Sequence, residues 1–341
     1  MPASSRLETT GRLLAAHGLT DLHTHLFLGQ DLGVRPEADL LPMGVTQAVD
    51  TGSAGGHLFE AFRRYVIDTS KVKIKAFVNI SSIGTTSIYL QGELKTANYV
   101  NVDLAVHTIQ EHSDVAIGIK VRASHDVGGE LADEALMKAR LAADKAGVPL
   151  MVHLGPAPAS IETILSHLGS GDILTHCHTG WKGNTLLDES GKPRAAVVSA
   201  ISRGVKFDVG HGAGGFDSTV AMAMIREGYL PDAISTDLHA GSIAKVHSLP
   251  KVMSKFLALG MSPEEVFARA TSYPATIGGF DFQRDDFKVG EKATFALFEL
   301  REGDITFSDA HGHDFKGSQI IEPVFVVFEG GVLFDAIGAA D

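Results

Sequence analysis

The chain has 341 residues, 44% of them hydrophobic and 21% charged. That is the range of globular proteins, and it excludes disordered and fibrous classes. The formal net charge of -12 at pH 7 argues against a nucleic-acid or anionic-membrane partner, because nonspecific attraction to either needs a surplus of Lys and Arg.

Short β-rich runs alternate with helix-like stretches along the chain. The strand candidates in order are 18–25, 43–52, 72–81, 115–124, 148–155, 172–180, 205–212 and 232–239. Several are nearly continuous apolar runs, as in parallel strands buried on both faces. The pattern at 130–146 reads as a helix stopped by Gly147 and Pro149. Segment 82–114 is long for one βα connection and is expected to hold a loop and a helix around 101–112. Eight strands alternating with helices read as a (β/α)8 TIM barrel, an α/β fold, over 18–280, close to the usual size of about 250 residues. Beyond Pro274 the pattern changes. Short apolar runs within 287–335 predict a small appended β-structure, so 1–17 and 281–341 are expected to form a remnant of a second, partial β-sandwich domain.

A TIM barrel carries its chemistry at the C-terminal strand ends, and metal-type residues collect there. His23 and His25 end the first run; two residues apart, they share a face and can reach one ion. Lys120 lies near the end of the fourth run and His153 ends the fifth. His176 stands in the sixth, with His178 as an alternative ligand. His211 ends the seventh, and Asp237 and His239 end the eighth. Each residue alone has an ordinary explanation: a helix cap for Asp237, an ion pair for Lys120, a packed imidazole for any one histidine. Their joint appearance at separate strand ends is what points to a metal centre. Imidazole and carboxylate ligands suit Zn²⁺ and its first-row neighbours. Arg122 shares the face of Lys120 and is expected either to hold a substrate carboxylate or to form an internal ion pair. His211 is expected to approach substrate or to stand free in its loop. Cys177 reads as a small packed hydrophobe, and histidines elsewhere, His112 among them, as surface residues.

The strings GLTDLHTH, GIK (118–120), STD (235–237) and YPAT (273–276), with His153 and His176, together resemble the amidohydrolase superfamily. More narrowly, KVRAS (120–124), ILTHC (173–177), DVGHGAGGF (208–216) and MSKFLALGM (253–261) resemble its dihydroorotase-related deacetylase branch. The resemblance runs from about Leu7 onward. Tyr273 stands where relatives often have Asn, which touches no ligand. The ILTHC pattern favours His176 over His178. The resemblance implies two divalent metal ions, zinc foremost, with His23, His25 and Asp237 on one and His153 and His176 on the other. It also implies that Lys120 is carboxylated by CO2, as N6-carboxylysine, and shared between them. A shared hydroxide would then attack the substrate, with Asp237 as general acid and base.

Three functions follow as expectations. The first is hydrolysis of an acyl ester or amide of a small carboxylic acid. The second is opening of a cyclic amide, as in dihydroorotase. The third is a non-catalytic barrel scaffold. With one cysteine, no apolar run of about 20 residues and no signal-like start, the protein is expected to be soluble and cytoplasmic. The stretch 5–25 resembles only the last piece of the N-terminal sandwich segment of related enzymes. The strands of 287–335 are therefore expected to lack partners, supplied either by upstream sequence or by a second copy in a homo-oligomer.

Overall fold

A computed structural model describes residues 13–87, 89–281, 290 and 292–336. After a short strand β1 (Leu13–Ala16), seven apolar runs become seven parallel strands. They are β2 (Leu19–Thr24), β3 (Val45–Gly55), β4 (Lys73–Asn79), β5 (Ala116–Val121), β6 (Leu150–His153), β7 (Ile173–Thr175) and β8 (Lys206–Asp208). They pair in chain order from β2 to β8. Every residue of β2 is buried, as are nearly all of β3 and β5. Burial on both faces is why these runs show no alternation of polar and apolar residues. The helices fit the expected places. Val102–Glu111 is capped by the Asn101 side chain, which accepts from Leu104 N at 3.0 Å. Ala132–Ala146 ends at Gly147, whose φ of 68° only glycine adopts without cost.

The eighth expected strand is corrected. Segment 232–239 closes the barrel without forming a regular strand. It touches β8 and β2 through single parallel bridges, Asp208 to Ala233 and Thr24 to Leu238. Backbone bonds from Val209 N to Ala233 O, from Asp237 N to His23 O and from His25 N to Leu238 O carry the rest of the closure. The cause is local: Asp237 has φ 50°, in the left-handed region, which breaks an extended run. The barrel is thus seven strands and one irregular stave.

The appended β-structure is longer-stranded than its short apolar runs suggested. β9 (Phe295–Ser308) and β10 (Asp314–Phe328) form a long antiparallel hairpin, joined by β11 (Gly331–Asp335), in the order β1-β9-β10-β11. Helix Leu249–Ala258 packs on β10, and Ser254 Oγ accepts from Ile321 N at 2.9 Å. The hairpin turn reaches the barrel, where Ala310 N donates to Phe216 O at 3.0 Å. The expected segment 1–17 lies mostly outside the described residues, and the boundary near 280 adjoins 282–289, also outside them. Among the described residues no helix is long and apolar enough to cross a membrane.

Candidate active site

The strand ends converge on a cavity of about 390 Å³, and His23, His25, Lys120, His153, His176 and Asp237 all line it. Three of its histidines are oriented in one way. Thr175 Oγ1 donates to Asp208 Oδ2 at 2.7 Å, so it accepts from His23 Nδ1 at 2.7 Å. Ser53 Oγ donates to Asp50 Oδ2 at 2.7 Å, so it accepts from His25 Nδ1 at 2.8 Å. His176 Nδ1 lies 2.6 Å from Gly210 O, and a carbonyl only accepts. Each ring therefore spends its one proton on Nδ1 and turns a bare Nε2 lone pair away from that partner. Such outer bonds are how metal-binding histidines are held.

What those lone pairs meet is informative. Asp237 Oδ1 lies 3.4 Å from His23 Nε2 and 3.3 Å from His25 Nε2. Ligand atoms of His23, His176 and Asp237 fall within 4.8 Å of one another. The His153 ring centroid is 4.4 Å from that of His176. Burial holds His23 and His153 well below the usual histidine range and pulls His176 down to about 4. With their Nδ1 protons given to Thr175 and Ser53, His23 and His25 thus turn Nε2 lone pairs to a carboxylate oxygen with no proton between them. That arrangement is repulsive until a cation fills it, and the donor set fits a first-row divalent ion.

Lys120, next to last in β5, is fully buried, and burial pulls its ammonium down to about 8, with Asp237 opposing. Gly52, at φ 89°, permits its approach: a Cβ there would stand 2.8 Å from Lys120 Cβ. Arg122 lines the cavity, yet its Nε and Nη2 donate to Glu93 Oε1 and Oε2 at 2.7 and 2.9 Å. The internal ion pair is therefore formed, and it occupies one edge of the guanidinium. The Nη1 end makes no hydrogen bond among the described residues.

Other residues fall differently. His211 is not among the lining residues. Its ring is buried, stacks on Phe216 at 4.7 Å, and its Nε2 meets Lys255 Nζ at 2.7 Å. His178 turns to Phe256, with ring centroids 5.8 Å apart, and is not among the lining residues either. His239 does line the cavity, with Nε2 4.0 Å from Asp237 Oδ2. Cys177 is buried, and burial raises its thiol well above the usual value. His112 is corrected from surface to interior: it is buried against Phe59, 5.1 Å between ring centroids, and contacts Arg63 Nη1. The supports Asp50, Thr175, Asp208 and Glu93 were missed. Asp50 and Asp208 carried a usable signal, since both sit in apolar strand runs where a lone carboxylate needs a partner.

A barrel with this cluster at its strand ends defines a metal-dependent hydrolase. No family model matches the chain. A deacetylase from Agrobacterium fabrum is 35% identical over 326 residues, 95% of this chain and 79% of that one. A solved structure described as a dihydroorotase has a TM-score of 0.87 and 34% identity, covering 94% of this chain and 84% of the other. Another, described as an adenine deaminase, has a TM-score of 0.86 and 30% identity, covering 95% and 88%. The chain belongs to the deacetylase branch of the amidohydrolase superfamily. It is an enzyme, and the scaffold reading falls.

Proposed function

We propose that the chain is a binuclear metal-dependent deacetylase that cleaves an acyl ester or amide of a small carboxylic acid. The observation that carries this is the bare Nε2 atoms of His23 and His25 facing Asp237 Oδ1 at 3.4 and 3.3 Å. His23, His25 and Asp237 would hold one ion, His153 and His176 the other, and Lys120 both. When bound, two ions such as Zn²⁺ supply an activated water near neutral pH and polarise the scissile carbonyl. The desolvated Lys120 amine is suited to attack CO2, releasing one N–H proton and leaving an anionic carbamate. Asp237 takes the proton of the attacking water and delivers it to the departing alcohol or amine. Asp21 braces this carboxylate's segment, accepting from Thr236 N at 3.0 Å and Thr236 Oγ1 at 2.6 Å.

Glu93 fixes the plane of Arg122 and leaves its Nη1 end for a substrate carboxylate. Arg122→Met is expected to raise KM for acyl-hydroxy and acyl-amino acids roughly tenfold, the scale of one charge-assisted contact, and to leave neutral amide analogues nearly unchanged. Equal effects on both would make Arg122 structural only. Opening of a cyclic amide is the second reading, favoured by the structural likeness to the protein described as a dihydroorotase. Assay of one panel of acyl esters, acyl amides and cyclic amides decides between them: turnover of the cyclic amides alone would overturn the deacetylase reading.

A further inference from the structure

The loop 210–215 forms one wall of the cavity, through Ala213, Gly214 and Gly215. It stands unusually close to the working side chains. A Cβ at Gly212 would lie 2.3 Å from Asp237 Oδ2, and one at Gly215 would lie 2.5 Å from His176 Nδ1. Gly210 O is also the acceptor that orients His176. Any outward drift of this loop would loosen both side chains at once.

Two lysines outside the cavity hold it from behind. His211 places Nδ1 2.9 Å from Gly212 O, so its Nε2 accepts, and Lys255 Nζ donates to it at 2.7 Å. Burial, then the charge of Lys255, pushes the His211 ring down to about 3, which keeps Nε2 an acceptor. Lys255 is itself buried, on the helix that packs against β10. Lys245 Nζ donates to Ala213 O at 3.0 Å and to Ala310 O at 3.1 Å, so it ties the loop to the turn of the β9–β10 hairpin. Asp309, in the same turn, accepts from Ser218 N and Ser218 Oγ, both at 3.1 Å, just beyond the loop.

We propose that Lys255, acting through His211, and Lys245, acting through the hairpin turn, are positioning residues that set the distance of the glycine loop from Asp237 and His176. The small sheet thereby braces the cavity wall from behind, although it lines no part of the cavity and supplies no ligand. The proposal rests on the assignment of Asp237 and His176 to the metal site, but its first readout does not. Trp181 is the only tryptophan, it lines the cavity, and a Cβ at Gly214 would lie 3.9 Å from its Cζ2. Its fluorescence therefore reports on the loop with or without metal.

The test compares wild type, Lys255→Met, Lys245→Met and a remote control, Lys138→Met, by acrylamide quenching of Trp181 and by zinc loss to a chelator. Both loop variants are expected to stay folded and to raise quenching roughly twofold, as local opening does. They should also lose zinc roughly tenfold more readily, the lower end for outer supports of a metal site. His211→Phe keeps the stack on Phe216 but removes the acceptor, so adding Lys255→Met to it should change little further. Quenching and zinc retention equal to wild type in both loop variants, whatever their Tm, would overturn the proposal. Wild type that binds no zinc would count against the metal site instead, and the quenching comparison would still decide this one.

Discussion

Lys120→Ala is expected to lose most bound metal and to lower the rate by roughly 10³-fold or more, the scale of several kcal/mol of lost transition-state stabilisation. Lys120 reaches the cavity from the end of β5 with its side chain fully buried. An ordinary ammonium there would repel cations held by His23 and His176, so removing it would tighten metal binding. A carbamate would bridge them, so removing it leaves each ion short of a ligand. The two accounts give opposite signs. Acetate or propionate is expected to restore part of both metal and rate in the variant, because a small carboxylate can occupy the vacated space. Metal content and kcat/KM of Lys120→Ala, with and without acetate, provide the check. Two retained metals at full rate would remove the bridging role.

Asp237→Asn is expected to keep the fold and part of the metal, yet to lower kcat by about 10² or more, the usual scale for removing a general acid–base. The amide is nearly isosteric, so the backbone contact of Asp237 N with His23 O at 2.7 Å and the turn at φ 50° should persist. What changes is the oxygen that faces His23 and His25. A neutral amide cannot store the proton of an attacking water. A near-normal kcat, measured at saturating substrate, would take Asp237 out of the proton transfer.

The metal-type residues were legible because the barrel maps sequence position onto one face. His23 and His25 are two apart at the end of the first run, Lys120 is next to last in β5 and His153 ends β6, so each can be placed without knowing its neighbours. The stave carrying Asp237 was read as a strand because it continues the alternation of strand-like and helix-like stretches; the left-handed turn at Asp237 leaves no mark in that pattern. Arg122 was left between two readings, and its pairing could not be read, because Glu93 lies 29 residues away in an irregular segment. His211 was placed near substrate by its polar, glycine-rich loop. Its ring instead turns to Lys255, 44 residues on, a contact that only the packing of helix Leu249–Ala258 creates. His112 was read as a surface residue because its buried setting comes from Phe59 and Arg63, on the preceding helical segments.

The most direct test of the metal site is titration of the chelator-stripped protein with Zn²⁺ while acyl-ester hydrolysis is followed. Almost no activity is expected without metal, with a rise that saturates at about two equivalents per chain, as for paired-ion hydrolases. Full activity in the stripped protein, or no response to zinc, cobalt or manganese, would contradict it.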